Sequence, residues 1–149
     1  MKRENLIKGQ NAKELPEGYE EFLGVKYVMD PKILEERGRS VEALLLARLP
    51  EERRSIAKAL PTLKSQIREI AKTDAKESGF LDPAMPLREL AFRLILKNGN
   101  KPMALNDLHW ALTEDWAHPT HPMAISVYAL KRIMDSDIYY GFQQVTDKS

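Results

Sequence analysis

Histidine and carboxylate side chains are the residues of this chain with the greatest potential for chemistry. The 149-residue sequence contains no cysteine, which excludes disulfides and thiolate metal sites, and its three histidines are His109, His118 and His121. Neutral imidazoles bind metal ions, and a nearby carboxylate would add an oxygen ligand. The spacing in HPTHP, however, does not place two histidines on one helical face as an i, i+4 pair does. We therefore expect a proline-stiffened, exposed loop over 118–122 that binds no metal, and no cofactor elsewhere.

Catalytic motifs give no support for an enzyme. The sequence has no Gly-x-Ser-x-Gly elbow, no P-loop and no GxGxxG following a strand. Its carboxylates lie on segments predicted to be surface helices, where neighbouring Lys and Arg side chains pair with them. We expect a non-enzymatic protein.

A stripe of basic side chains is the clearest binding feature of the first half of the chain. It consists of four residues at successive i+4 steps on one predicted helix: Lys64, Arg68, Lys72 and Lys76. Like charges at this spacing repel each other, so a stripe of this kind is compatible with an acidic partner such as nucleic acid. The alternative is an ordinary solvated helix face whose charge is balanced by carboxylates nearby in the sequence.

Composition and charge indicate a folded globular protein without a strong bulk attraction to polyanions. Hydrophobic residues make up 43% and charged residues 30%, and the formal net charge is +1. Residues 1–80 carry sixteen basic and fourteen acidic side chains, and residues 81–149 carry seven and eight. No run of about 18 apolar residues occurs, and the N-terminus has no apolar signal core. We expect a cytoplasmic protein without a membrane partner.

The positions of proline, glycine and helix-capping residues predict a mainly α-helical chain in three parts. These parts are a flexible arm over 1–18, a helical N-terminal region over 19–80 and a C-terminal module over 81–149. Asp30-Pro31 and Ser40 are typical helix starts, and Pro61 is expected to break a helix. The apolar run over 25–29 is either a strand or an edge segment.

The C-terminal module has a specific order of elements. The helix LRELAFRLILKNG is expected to stop at Asn98-Gly99, and a short extended segment over 103–105 leads to a second helix capped by Asn106. A third helix is predicted over 123–134, followed by an aromatic strand over 138–145. Among the aromatic residues, we expect Trp116 in the core, Trp110 partly exposed, and Tyr139 and Tyr140 on opposite strand faces.

This order resembles the winged helix-turn-helix superfamily over about residues 85–146. The resemblance is carried by LRELAFRLILKNG, by PMAL leading into NDLHWAL, and by ALKRIMDSDIYYGF. It implies that the third helix enters the DNA major groove, with Tyr128, Lys131 and Arg132 on its outward side. Two features depart from the family: the long connection TEDWAHPTHP, and too little chain after the first wing strand for a second one. The second wing strand is therefore missing or supplied from elsewhere.

Two functions follow from these features. The first is a nucleic-acid-binding regulator, as in transcription regulation, or a nucleoprotein component, contacting nucleic acid through the basic stripe and the third helix. The second is a protein–protein interaction module or adaptor subunit that uses a winged-helix surface, which the near-neutral charge of the chain favours. Composition does not specify an oligomeric state.

Overall fold

The computed structural model describes residues 15–73, 79–115 and 124–145. Over these ranges the chain is mainly α-helical, as predicted, and its strands form one small antiparallel sheet. The helices are α1 (Pro31–Glu36), α2 (Val41–Leu46), α3 (Glu51–Lys58), α4 (Leu63–Ala71), α5 (Leu87–Lys97), α6 (Leu105–Trp110) and α7 (Val127–Ser136). The strands are β1 (Lys26–Met29), β2 (Met103–Ala104) and β3 (Phe142–Val145). A 3-10 turn precedes β1 at Tyr19–Phe22, and π-helical Ala111–Asp115 continues α6.

Local capping chemistry fixes the helices of the first half where the sequence predicts them. The Asp30 carboxylate accepts the backbone N–H of Lys32 at 2.9 Å, with proline at the first position of α1. Ser40 caps α2 in the same way. The expected break at Pro61 is confirmed, since α4 begins two residues later within a Thr62–Ser65 capping box.

The sheet has the order β2-β1-β3, so the early strand β1 lies at its centre. Lys26 is opposite Ala104 on one side and opposite Val145 on the other, and both pairings are antiparallel. Burial alternates along β1, with Tyr27 and Met29 facing the core. The apolar run over 25–29 is therefore a central strand and not an edge segment.

Two predicted helix starts in the C-terminal half are wrong. Helix α6 begins at Leu105, and Asn106 lies buried inside it, donating from Nδ2 to the backbone oxygen of Tyr19. Helix α7 begins at Val127, four residues later than predicted, because the Ser126 hydroxyl accepts the backbone N–H of Ala129. The stop at Asn98-Gly99 is confirmed, since Gly99 has φ +71°. Trp116 lies outside the described residues, and Trp110 is half-buried as expected.

The predicted aromatic strand over 138–145 is too long by four residues. The Asp137 carboxylate accepts the backbone N–H groups of both Tyr139 and Tyr140, which bends the chain before β3 starts at Phe142. Gly141 then takes φ +75°. Tyr139 and Tyr140 consequently do not alternate on a strand; their rings meet edge to face with centroids 4.6 Å apart.

The Glu89 carboxylate and the side chains that donate to it connect the two halves of the chain beside the apolar core. Glu89 on α5 accepts two hydrogen bonds from Arg48 at 2.8 Å, one from Arg93 at 2.7 Å and one from the Tyr140 hydroxyl at 2.8 Å. Burial alone would raise the pKa of Glu89, but these donors outweigh it and lower the pKa to about 2. The apolar core around it draws on both halves of the chain and includes Leu45, Ile70, Phe92 and Leu130.

Candidate nucleic-acid interface

Helix α4 presents the predicted basic stripe to solvent. Lys64, Arg68 and Lys72 are exposed, while Ile67 and Ile70 on the opposite side are buried. This division explains why the segment forms a surface helix: apolar residues three or four positions apart form one face, and the cations form the other. Lys76, the fourth predicted residue of the stripe, lies outside the described residues.

Two basic residues that the sequence did not single out extend this surface across a groove. The groove, about 550 Å³ in volume, is lined by Lys64, Arg68, Ala71, Lys97, Asn98, Gly99 and Lys101. We call it the α4–α5 groove. Lys97 Nζ donates to the backbone oxygen of Ala71 at 2.7 Å and so joins the ends of the two helices. No sequence signal connects Lys97 and Lys101 to α4, because their proximity depends on the packing of α5 against α4.

The α4–α5 groove has a uniformly positive lining. Of the seven described residues that line it, four are cations and none is a carboxylate. Glu69, the acidic residue of α4 within the described range, is paired instead with Arg53 at 2.7 Å. Over the described residues, no carboxylate lies within ion-pair distance of Lys64, Arg68 or Lys72. The described part of the chain therefore supplies no carboxylate that competes with an external anion for these three cations.

Arg53 and Arg54 on the preceding helix α3 do not extend the basic surface of α4. Besides its ion pair with Glu69, Arg53 points toward the backbone oxygen of that residue. Arg54 donates to the backbone oxygens of Leu46 and Leu49 at the end of α2. Both guanidinium groups thus stabilise the junction of α2, α3 and α4.

The three residues predicted on α7 are only partly available. Lys131 Nζ donates to the Asp135 carboxylate at 2.7 Å and lies 3.3 Å from Gln144 Oε1 on β3. The Tyr27 hydroxyl donates to the same Asp135 carboxylate, and burial first, then this hydrogen bond, raises the pKa of Tyr27. Arg132 is exposed, with no ion pair to a described carboxylate.

The segment that contains Glu21, which we call the acidic segment, lies over the first turn of α7. The Tyr128 hydroxyl donates to Glu21 at 2.8 Å, and this hydrogen bond raises the pKa of Tyr128. The Tyr128 ring also meets Phe22 edge to face at 5.5 Å. Gly18 approaches so closely that a Cβ there would lie 2.6 Å from the side chain of Val127. Sequence reasoning missed this contact because about 107 residues separate the partners.

The stripe and α7 do not share one surface. The C-terminal end of α7 lies beside the first turn of α5, where Arg88 Nε is 3.8 Å from Asp137 Oδ1. The α4–α5 groove adjoins the other end of α5 at Lys97, about 14 Å further along the helix axis. No residue of α7 lines that groove. The predicted site residues therefore fall into two groups.

His109 has a structural position. Its Nε2 lies 2.6 Å from the backbone oxygen of Ile125, which only accepts, so Nε2 carries a proton. In the neutral ring Nδ1 then accepts from the Tyr19 hydroxyl at 2.7 Å. His118 and His121 lie outside the described residues. Over the ranges described, no three His, Asp or Glu side chains are arranged to hold a metal ion.

A second cavity, of about 560 Å³, lies between α5 and the end of α7. Its apolar lining includes Leu87, Ile133 and two consecutive exposed residues, Ile138 (74% exposed) and Tyr139 (45% exposed). Arg39 stacks on the Tyr139 ring at 3.6 Å and donates to the Tyr139 backbone oxygen. We call this the Ile138 pocket.

In the described ranges, no helix has both the length and the apolarity that crossing a bilayer requires. The chain matches no protein-family model, no curated protein and no solved structure.

Proposed function

We propose that this protein binds nucleic acid without catalysing a reaction, and that the α4–α5 groove is the binding surface. The observation that carries this function is a concave surface whose described lining residues include four cations and no carboxylate. Phosphate contacts by Lys and Arg supply most of the non-sequence-specific affinity of proteins for nucleic acid. The groove, and not α7, is the site because the first turn of α7 is covered by the acidic segment at Glu21.

A winged-helix arrangement of the C-terminal module is part of this interpretation. The order α5, β2, α6, α7, β3 supports it, with β1 between β2 and β3 at the place where a second wing strand pairs in this superfamily. In this interpretation the wing is completed by a strand that precedes the module in the sequence. The segment over 19–80 is then a necessary part of the folded unit and not an appendage.

Fluorescence anisotropy with a labelled 20-nucleotide probe, single-stranded and duplex, at about 50 mM salt tests the proposed function. The double variant Lys64→Ala/Arg68→Ala should weaken binding at least tenfold, because each lost phosphate contact removes its counterion release. The control, Lys32→Ala/Arg37→Ala, removes the same charge from exposed positions on or next to α1, outside the groove. An equal loss in both variants, or no binding by the native protein, would contradict the assignment.

A protein-interaction role is the second candidate, and the Ile138 pocket favours it. Ile138 and Tyr139 are consecutive, exposed and beside a 560 Å³ cavity, and adjoining exposed apolar side chains of this kind favour an interaction site. Arg39 and Arg88 flank this surface, so the matching partner is an apolar segment with acidic neighbours. Yeast display of acidic-aliphatic peptides against native protein and Ile138→Asp would test it; binders insensitive to the substitution would count against this role.

A further inference from the structure

We infer that the α4–α5 groove binds the sugar–phosphate backbone of double-stranded nucleic acid without reading its sequence. This inference rests on the proposed function and specifies its ligand. Sequence reading requires side chains that offer hydrogen bonds to base edges. Among the described lining residues, the one uncharged polar side chain is Asn98, whose Nδ2 already donates to the backbone oxygen of Lys101 at 3.3 Å. The other polar side chains there are Arg68 and three lysines, which can bind guanine edges as well as phosphates; without polar neighbours that select the other bases, phosphate contacts are favoured.

The groove lacks the feature that holds single strands. Proteins that bind single strands stack successive bases on aromatic side chains, and each stacked base contributes about 1–3 kcal/mol. Within the part of the chain that the structure describes, no aromatic residue lines the α4–α5 groove. The exposed Tyr139 lies near Arg88, at the opposite end of α5. A duplex, whose bases are already stacked, loses nothing in such a groove, whereas a single strand gains no stacking.

The lining also distinguishes nucleic acid from an anionic membrane surface. Peripheral membrane binding combines basic residues with apolar side chains that enter the lipid. The large, exposed apolar residues of the described chain are Leu23, Ile56, Ile138 and Tyr139, and none lines the groove. The groove is concave and is bounded by two packed helices, a shape that fits a rod-like backbone better than a bilayer.

Rigidity of the groove suits a ligand of regular shape. Helix α4 is held at its start by the Thr62–Ser65 capping box and at its end by Lys97, which donates to Ala71. The helix backbones that carry Lys64, Arg68 and Lys97 are therefore held in place before any ligand arrives. Such pre-organisation favours a regular double helix over a flexible strand.

Competition against a labelled 20-bp DNA duplex tests this inference on the full chain. The unlabelled competitors are a DNA duplex of scrambled sequence, an RNA duplex, a 20-nucleotide oligo-dT and phosphatidylglycerol vesicles. We expect the two DNA duplexes to compete within twofold of each other and oligo-dT to compete at least tenfold more weakly. The RNA duplex should also compete more tightly than oligo-dT, because the proposed contacts are to a duplex backbone.

Salt dependence gives an independent readout. Four phosphate contacts predict a slope of about −3.6 for the logarithm of affinity against the logarithm of salt concentration. Affinity should then fall about 150-fold between about 50 and 200 mM salt. Lys101→Ala should reduce the slope by about 0.9, and Lys32→Ala should leave it unchanged.

The results that would overturn the duplex inference differ from those that would overturn the proposed function. Equal or tighter competition by oligo-dT, equal competition by the vesicles, or a tenfold preference for one DNA sequence would overturn the duplex inference alone. Absence of binding to every nucleic acid would overturn the proposed function as well. If Lys101→Ala left the salt slope unchanged, the groove would not be the binding site, even if the protein binds duplexes.

Discussion

Replacing Glu89 with glutamine should destabilise the fold more than removing the charge of Lys32 or Lys101. Arg48, Arg93 and Tyr140 together direct four hydrogen bonds at this one carboxylate. The Arg48 and Glu89 side chains are only 10% and 16% exposed, so solvent screens their attraction weakly. Glutamine has nearly the same shape but no charge, and it leaves two guanidinium groups without their shared counterion.

The magnitude follows from the pKa of Glu89. Donor contacts lower it from 4.5 to about 2, which corresponds to about 3 kcal/mol of stabilisation at neutral pH. Because the folded-state pKa is the lower one, this stabilisation is complete above about pH 4.5 and is lost as the pH falls toward 2. At pH 3 about 1.4 kcal/mol remains.

Urea unfolding of native protein and Glu89→Gln at pH 7 and pH 3 measures this difference directly. We expect a loss of about 3 kcal/mol at pH 7 and less than half of that at pH 3. Glu36→Gln is the control, because Glu36 is exposed at the end of α1 and should change stability by less than about 0.5 kcal/mol. A loss at pH 7 below about 1 kcal/mol, or an equal loss at both pH values, would refute the reasoning.

Two further substitutions test the turn before β3 and the start of α7. Gly141→Ala should lower the unfolding free energy by about 2–4 kcal/mol, because φ is +75° and the new Cβ would lie 2.9 Å from Leu34 Cγ. Gly38 has the same kind of φ but open space around it, so an equal loss of unfolding free energy in Gly38→Ala would contradict the steric explanation. Ser126→Ala should cost about 1 kcal/mol by removing the cap of α7. Ser55→Ala, exposed within α3, should be nearly neutral in the same thermal unfolding measurement.

Features determined by neighbouring residues were predictable from the sequence. Asp30, Ser40 and Thr62 cap their own helices, so the chemistry that starts each helix lies within three residues of its effect. The left-handed stop at Gly99 is equally local. The same holds for the exposed face of α4, because burial repeats with the helical period.

Features determined by distant residues were not predictable. The central place of β1 depends on pairing between Lys26 and residues 104 and 145, and strand propensity carries no information about partners. The late start of β3 depends on the Asp137 carboxylate, which competes with the strand for two backbone N–H groups.

The candidate site shows the same division. Lys64 and Arg68 were found as a stripe because i+4 spacing places them on one helix face. Lys97 and Lys101 join them only through the packing of α5 on α4. The covering of Tyr128 by Glu21 is a contact between distant segments, and it moves the proposed interface from α7 to the groove.

Chemical-shift mapping tests the central claim most directly, namely that nucleic acid binds in the α4–α5 groove. Titrating a 20-bp duplex into isotope-labelled protein should shift the backbone amide signals of residues 64–72 and 97–101. The amides of α7 (127–136) should stay nearly unchanged, because the groove lies at the other end of α5. Shifts centred on α7 with none in the groove would contradict the account.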